Sequence, residues 1–401
     1  MTALPHLTSG LPGIGGVVKR RAEDLRVEEI PLPRRAGRGR HLYFQVTKSG
    51  ITTQAAAERI ARHVGARTDE IGYAGLKDAQ AVATQWMSLK DGDPRLLASF
   101  RDRQIRIRDI QRRPGKLVPG ELAGNRFIIR IRDVGKEKLP QARAILDVLA
   151  RRGVPNYFGR QRFGARGDNA AMGEALVRGN LEEFVAIFLG RGTPADPPDS
   201  RAARDAFDLG MFGHAMRYWP RHCAAPRKAL AAFMKNRRAA DAVAAVDKWT
   251  KRIYVEAFAA ELFNKMLARR IETMDRVLAG DLAEEQQTGR LFRVDDPAGE
   301  QARAKSFAIS PTGPLAGRNC PLADERPGEI ERQVLKERNV DLAMFERCKA
   351  ANVQGGRRAL RFRPAYATLS AGHDRHGSFI DVCFTAPPGC YATVLIDEIC
   401  K

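Results

Sequence analysis

Asp78 stands in Ala74-Gly-Leu-Lys-Asp-Ala79, a tight connection between two apolar stretches. Seen alone, an aspartate after a glycine-containing turn is by default a turn former, its carboxylate bonding the nearby backbone. A carboxylate on a short loop between rigid strands is equally suited to act as a nucleophile or base. Lys77 beside it and Lys19 far upstream can each hold it ionised through charge proximity, and the sequence leaves open which of them is near.

Two further clusters carry usable chemistry. Asn125-Arg-Phe127 begins a strand after Gly124. Asn125 is either a turn residue or a polar group of a site; Phe127 is either core, in step with Ile129 and Ile131, or a ring that stacks on an unstacked base. Asn156-Tyr-Phe-Gly-Arg-Gln-Arg-Phe-Gly164 packs three aromatics, two glycines and two arginines into one stretch. That content suits a domain junction, with Arg160 and Arg162 as candidate RNA-phosphate contacts. No P-loop, H-E-x-x-H or G-x-S-x-G is present. Gly13-Ile-Gly-Gly16 follows no strand and makes a poor dinucleotide fingerprint. The cysteines at 223, 320, 348, 383, 390 and 400 form no C-x-x-C pair, and the histidines add no metal spacing. They read as reduced thiols, with no metal site expected.

The elements that must position these residues follow from periodicity. Leu42, Phe44 and Val46 alternate with Tyr43, Gln45 and Thr47, the period of a half-buried strand. Thr52 or Thr53 can cap the helix that carries Ala57, Ile60, Ala61 and Val64, with Gly65 just past its end. Ile71–Gly75 and Ala81–Leu89 read as strands flanking the Asp78 loop. Arg101–Arg108 suggests a strand with one arginine-rich side, either an RNA-facing surface or an edge guarded by charge. Asn125–Arg132 is a further strand, and Gln141–Arg152 an amphipathic helix closed by Gly153. From about 170 to 350 the pattern is mostly helical, with loops expected at Thr193–Asp199 and near 285–305. Strand character returns at Ala359–Pro364, Ser378–Phe384 and Gly389–Ile396.

Lys plus Arg number 68 against 47 Asp plus Glu, a net charge of +21 among 401 residues. A surplus of that size favours a polyanionic partner, since each phosphate neutralised releases counterions. No run approaches the roughly 18 apolar residues of a membrane span. The opening MTALPHLTSGLPGIGG has neither a basic n-region nor an apolar h-region, so a cytoplasmic protein without a membrane partner is expected.

The motifs in order carry more. Lys19 with Ala22-Glu-Asp-Leu-Arg-Val-Glu-Glu29, Gly39-Arg-His41, Thr47-Lys-Ser-Gly-Ile-Thr-Thr53 and Gly72-Tyr-Ala-Gly-Leu-Lys-Asp78 resemble the TruD family of tRNA pseudouridine synthases. So do Gln85-Trp86, Gly124-Asn-Arg-Phe127, Val154–Gly164, Leu262-Phe-Asn264, Ser310–Gly317 and Pro388–Thr393. The chain departs from the family pattern at Ala22 and Leu25, at Ala79-Gln80, and from about 175 to 245. The resemblance implies an α+β fold: a pseudouridine synthase catalytic domain with a bisected antiparallel sheet, residues 1–160 and 355–401, interrupted by a large, mostly α TRUD domain, 161–354. It implies Asp78 as the catalytic residue, Lys19 as the basic residue beside it, Asn125 as a polar group of the site and Phe127 as the ring near the target base. Lys77 joins them as a candidate substrate contact. The implied reaction is isomerisation of uridine to pseudouridine at position 13 of the tRNA D-arm by a monomer without a cofactor. A non-catalytic RNA-binding protein on the same scaffold and another RNA-modifying enzyme are the alternatives.

Overall fold

Alternating apolar residues commit several segments to strands with one buried face, and burying those faces together produces one large sheet. The computed structural model describes residues 4–33 and 39–401. They divide into two compact units: Thr8–Val154 with Phe362–Lys401, and the described residues of Met1–Leu7 with Pro155–Arg361. The borders expected from sequence lie at 160/161 and 354/355; the units divide at 154/155 and 361/362.

The first unit holds a nine-stranded sheet. Its long strands are β1 (Leu25–Pro31), β2 (His41–Ser49), β3 (Val82–Lys90), β4 (Ile105–Arg113), β5 (Leu122–Arg132), β6 (Ala365–Asp374) and β7 (Gly377–Ala386), in the order β6-β7-β5-β1-β3-β2-β4. Every neighbouring pair is antiparallel except β1 and β3, which run parallel with Arg26 opposite Val82. The arginine-rich segment is therefore the edge strand β4, with Arg106 and Arg108 exposed. Helix Thr53–His63 covers one face near β2 and β3, burying Ala56, Ala57, Ile60 and Ala61 against Leu42, Phe44, Val46 and Met87. Thr52 caps it by accepting from the Ala55 N–H.

The second unit is mostly helical, with an antiparallel sheet of Leu291–Arg293, Leu282–Glu285, Ile309–Leu315 and Gly356–Ala359. Its longest helix, Lys248–Arg270, buries Phe258, Leu262, Met266 and other apolar residues along its length. Gly173 allows helix Asn169–Arg178 to lie close to it, since a Cβ there would come within 2.0 Å of the Tyr254 carbonyl oxygen.

Two sequence expectations are corrected. The polar region near 285–305 is not a loop. It forms a turn between short strands and then helix Pro297–Lys305, started by Asp296, which accepts from the Ala298 and Gly299 N–H groups. Gly389–Ile396 is not a strand: residues Ala392–Cys400 are helical, with Val394, Leu395, Ile396 and Ile399 all buried. A short apolar run buried on several sides has no periodicity to separate strand from helix.

An ion network clamps one end of the large sheet. Arg132, at the end of β5, lies 2.6 Å from Asp24 and 3.1 Å from Asp374, while Arg130 bonds Asp374 at 2.9 Å and Asp381 at 2.8 Å. Asp24 is wholly buried, so removing its partner leaves an uncompensated charge. Arg132→Met should therefore destabilise the unit by about 3–5 kcal/mol, read from its denaturant unfolding midpoint. The Arg132 guanidinium and the His376 N–H hold Asp374 down to about 2. Its folded value lies below that of the unfolded chain, so its contribution is full above about pH 4. That contribution is lost as pH falls towards 2, and melting temperature measured across this range should fall less steeply in Asp374→Asn than in the parent chain.

Candidate active site at the end of the sheet

The backbone that leads into β1 is what delivers Lys19. Val17 and Val18 pair with Arg132 and Ile131 of β5, the chain then leaves the ladder, and β1 resumes the pairing with Leu25 opposite Ile129. Lys19 sits in that break with φ +55°, a left-handed conformation that a residue with a long side chain rarely adopts. Such backbone strain persists where the surroundings enforce it, commonly at functional sites.

From there its ammonium reaches Asp78 Oδ2 at 2.6 Å. Asp78 Oδ1 accepts the Gln80 N–H at 2.9 Å. The carboxylate is thus turn former and ion partner at once, one oxygen for each task. The pair is sheltered yet reachable, with side chains 22% and 17% exposed.

The loop that presents Asp78 is pinned from beneath. The Lys77 N–H donates to Thr53 Oγ1 at 2.9 Å, Thr53 donates to Gln85 Oε1 at 2.8 Å, and Gln85 Nε2 donates to the Gly75 carbonyl at 3.1 Å. Lys77 does not turn towards Asp78: its ammonium lies 2.9 Å from Glu29 Oε2, with both side chains almost wholly buried. Lys48, which has no exposed surface, donates to the Ile51 carbonyl at 2.7 Å and to the backbone carbonyl of Asp78 at 2.6 Å. Burial pushes the Lys48 ammonium down to about 8, against the opposing pull of Asp78.

Strand register explains why these side chains share a face, because directly opposed residues point to the same side of a sheet. One row runs Phe384, Phe127, Val27, Ala83, Lys48. In the next row Asn125 faces Glu29. Phe127 is half-buried and stacks on Phe384 with ring centroids 5.4 Å apart. Asn125 Oδ1 is buried and accepts no hydrogen bond from the described residues.

Lys19, Asp78, Lys77, Asn125 and Phe127 all belong to the first unit. Arg160 and Arg162 belong to the second, on the short 3-10 turn Arg160–Phe163. Arg160 is exposed; Arg162 bonds Glu256 at 2.8 Å and its guanidinium lies over the Phe158 ring. Lys48, Glu29 and Gln85 carry no individual role in the sequence reading, and Thr53 enters it only as a candidate helix cap. The alternation of β2 held the signal for one of them, since Lys48 continues the buried parity of Leu42, Phe44 and Val46.

The Lys48 value lies below that of an unfolded lysine, about 10.4. Between those two values the unfolded chain binds the extra proton, so stability rises with pH there. The cost of the buried charge is full below about pH 8 and fades towards pH 10.4. Lys48→Met lacks this cost, so the melting temperature of the parent chain relative to that variant should rise across the same window.

The profile of the family described as tRNA pseudouridine synthase D (TruD) matches residues 3–399. The chain is 37% identical over 397 residues to the tRNA pseudouridine synthase D of Geobacter metallireducens, covering 99% of this chain and 97% of the other. It is 35% identical over 398 residues to that of Geotalea daltonii, covering 99% of each. The fold matches, with a TM-score of 0.81 and 27% identity, the crystal structure of the protein assigned as tRNA pseudouridine synthase D in Methanosarcina mazei, over 98% of this chain and 95% of that one. With a mixed α+β sheet that carries a lysine–aspartate pair, and with this likeness spanning almost its full length, the chain belongs to the TruD family of tRNA pseudouridine synthases.

Proposed function

We propose that the protein isomerises uridine 13 in the D-arm of tRNA, with Asp78 as the catalytic group and no cofactor. The observation that carries this reading is the Lys19–Asp78 pair on a loop pinned to the sheet, whose Lys48 support shares a face with Phe127 and Asn125. The unit Thr8–Val154 with Phe362–Lys401 serves as the catalytic domain, and Pro155–Arg361 as the interrupting TRUD domain. A monomer in the cytoplasm is sufficient, since the reacting groups come from one unit. No helix among the described residues is long and apolar enough to cross a membrane.

The reaction conserves atoms and electrons. The N1–C1′ bond breaks, the base turns, C5 joins C1′, the C5 proton leaves and N1 ends protonated. An aspartate is ionised at neutral pH. Asp78 either attacks C1′, with the uracil as leaving group, or removes the 2′ proton to give a glycal; both need the carboxylate held at one place throughout. Lys19 orients it from one side while the Gln80 N–H fixes the other oxygen. Asn125 Oδ1 offers an acceptor to an N–H of the uracil, and Phe127 offers its ring to the detached base. The target must leave its stack, which costs a few kcal/mol, and phosphate contacts offset that cost. Arg160 is exposed and suited to such a contact; Arg162, engaged by Glu256, lends itself more to holding the turn. Lys77 supports the loop through Glu29 and acts on the substrate only through Asp78.

Asp78→Ala should abolish pseudouridine formation at position 13 of unmodified tRNA, mapped by carbodiimide-dependent reverse-transcription stops, while tRNA still binds. Lys19→Met should retain binding and lower kcat by about 10²–10⁴-fold, the scale for losing a well-placed acid–base contribution. Stops at position 13 from Asp78→Ala, or wild-type stops elsewhere in the tRNA, would sink the assignment.

A further inference from the structure

Tyr366 is held where a bulky residue is least at home. Ala365 of β6 pairs with Thr385 of β7, and the next pair joins Thr368 to Cys383, so β6 advances three residues while β7 advances two. The extra residue makes a bulge, and Tyr366 within it has φ +53°. Bulges that open on a left-handed residue place glycine there as a rule, because any Cβ is crowded. Here the position carries an aromatic ring that is 86% exposed. The strain is not repaid by burial, and residues held in such backbone regions cluster at active sites and ligand clamps.

The register also locates it. The two bulge residues, Tyr366 and Ala367, stand opposite Phe384, which pairs with Phe127. Two strand spacings separate β6 from β5, about 10 Å. Tyr366 therefore lies level with Phe127, two strands away across the sheet. Arg363, three residues before it, is exposed as well. A flipped target leaves its neighbours with an uncovered face, and an aromatic ring accepts any base because every base has a π-face.

We propose that Tyr366 is a stacking platform for a second, unstacked base of the tRNA, next to the target uridine. The proposal rests on the tRNA substrate and on a target drawn out of its stack. It is tested with Tyr366→Asn, which keeps a residue tolerant of left-handed backbone, and Tyr366→Trp, which keeps the ring. Both are compared with the wild-type protein for binding of unmodified tRNA and for melting temperature. Tyr366→Asn is expected to melt at or above the wild-type temperature while its Kd for tRNA weakens about 5- to 100-fold, the scale for losing one base–aromatic stack. Tyr366→Trp is expected to bind within about twofold of wild type, the stacking face being preserved. Wild-type Kd in Tyr366→Asn overturns the platform, and so does a lowered melting temperature, which would make the ring a folding element. Absence of tRNA binding by the wild-type protein itself would overturn the RNA reading and this inference together.

Discussion

A lysine ammonium with no exposed surface must satisfy its donors inside the protein or forfeit several kcal/mol of hydration. Lys48 meets that demand with two backbone carbonyls, those of Ile51 and Asp78, and so welds the start of a helix and the Asp78 loop to one strand. Much of the surrounding architecture can be read as the consequence. Thr53 and Gln85 hold the same loop through neighbouring bonds, and Glu29 neutralises the next lysine along. Three lysines thus converge on one turn with different partners: Lys48 takes the backbone, Lys77 takes a buried glutamate, and Lys19 takes the Asp78 carboxylate.

This division explains how an aspartate in so short a loop can be both sheltered and aimed. Oriented groups cost nothing to reorganise during reaction, provided that their supports are themselves fixed. Here the support comes from hydrogen bonds, two of them from the Lys48 ammonium, and a buried ion pair on the sheet, while the Lys19–Asp78 pair stays partly exposed. The ring of Phe127 is fixed in the same manner, with Phe384 behind it.

Local pattern made β2, the helix after Thr52 and the Asp78 turn readable in the sequence, because each is decided within a dozen residues. The candidacy of Asp78, Lys19, Asn125 and Phe127 came from ordered motifs, yet the pairing of Lys19 with Asp78 could not be read, since it depends on strand register across several distant segments. The choice between Lys19 and Lys77 turned on Glu29, which lies 48 positions from Lys77 in the chain. The helix Ala392–Cys400 was hidden because its β-branched residues are buried on more than one side, which erases the helical period. Lys48 was legible in principle: a lysine on the apolar parity of a strand demands a partner, and only the habit of reading lysines as surface residues concealed it.

The sheet takes β1 to β5 from before the interrupting segment and β6 and β7 from after it. On the ribosome, chains fold as they emerge, N-terminal parts first. β5 must then wait for its neighbour β7 while the whole of Pro155–Arg361 is synthesised, with an unpaired edge of the kind that invites misassembly. Closing so long a connection costs little more than closing a shorter one, because loop entropy grows only with the logarithm of length. The delay has a corollary in quality control. Phe384, the backing of Phe127, arrives on the last strand to be made, so an unfinished chain lacks the surface that fixes that ring.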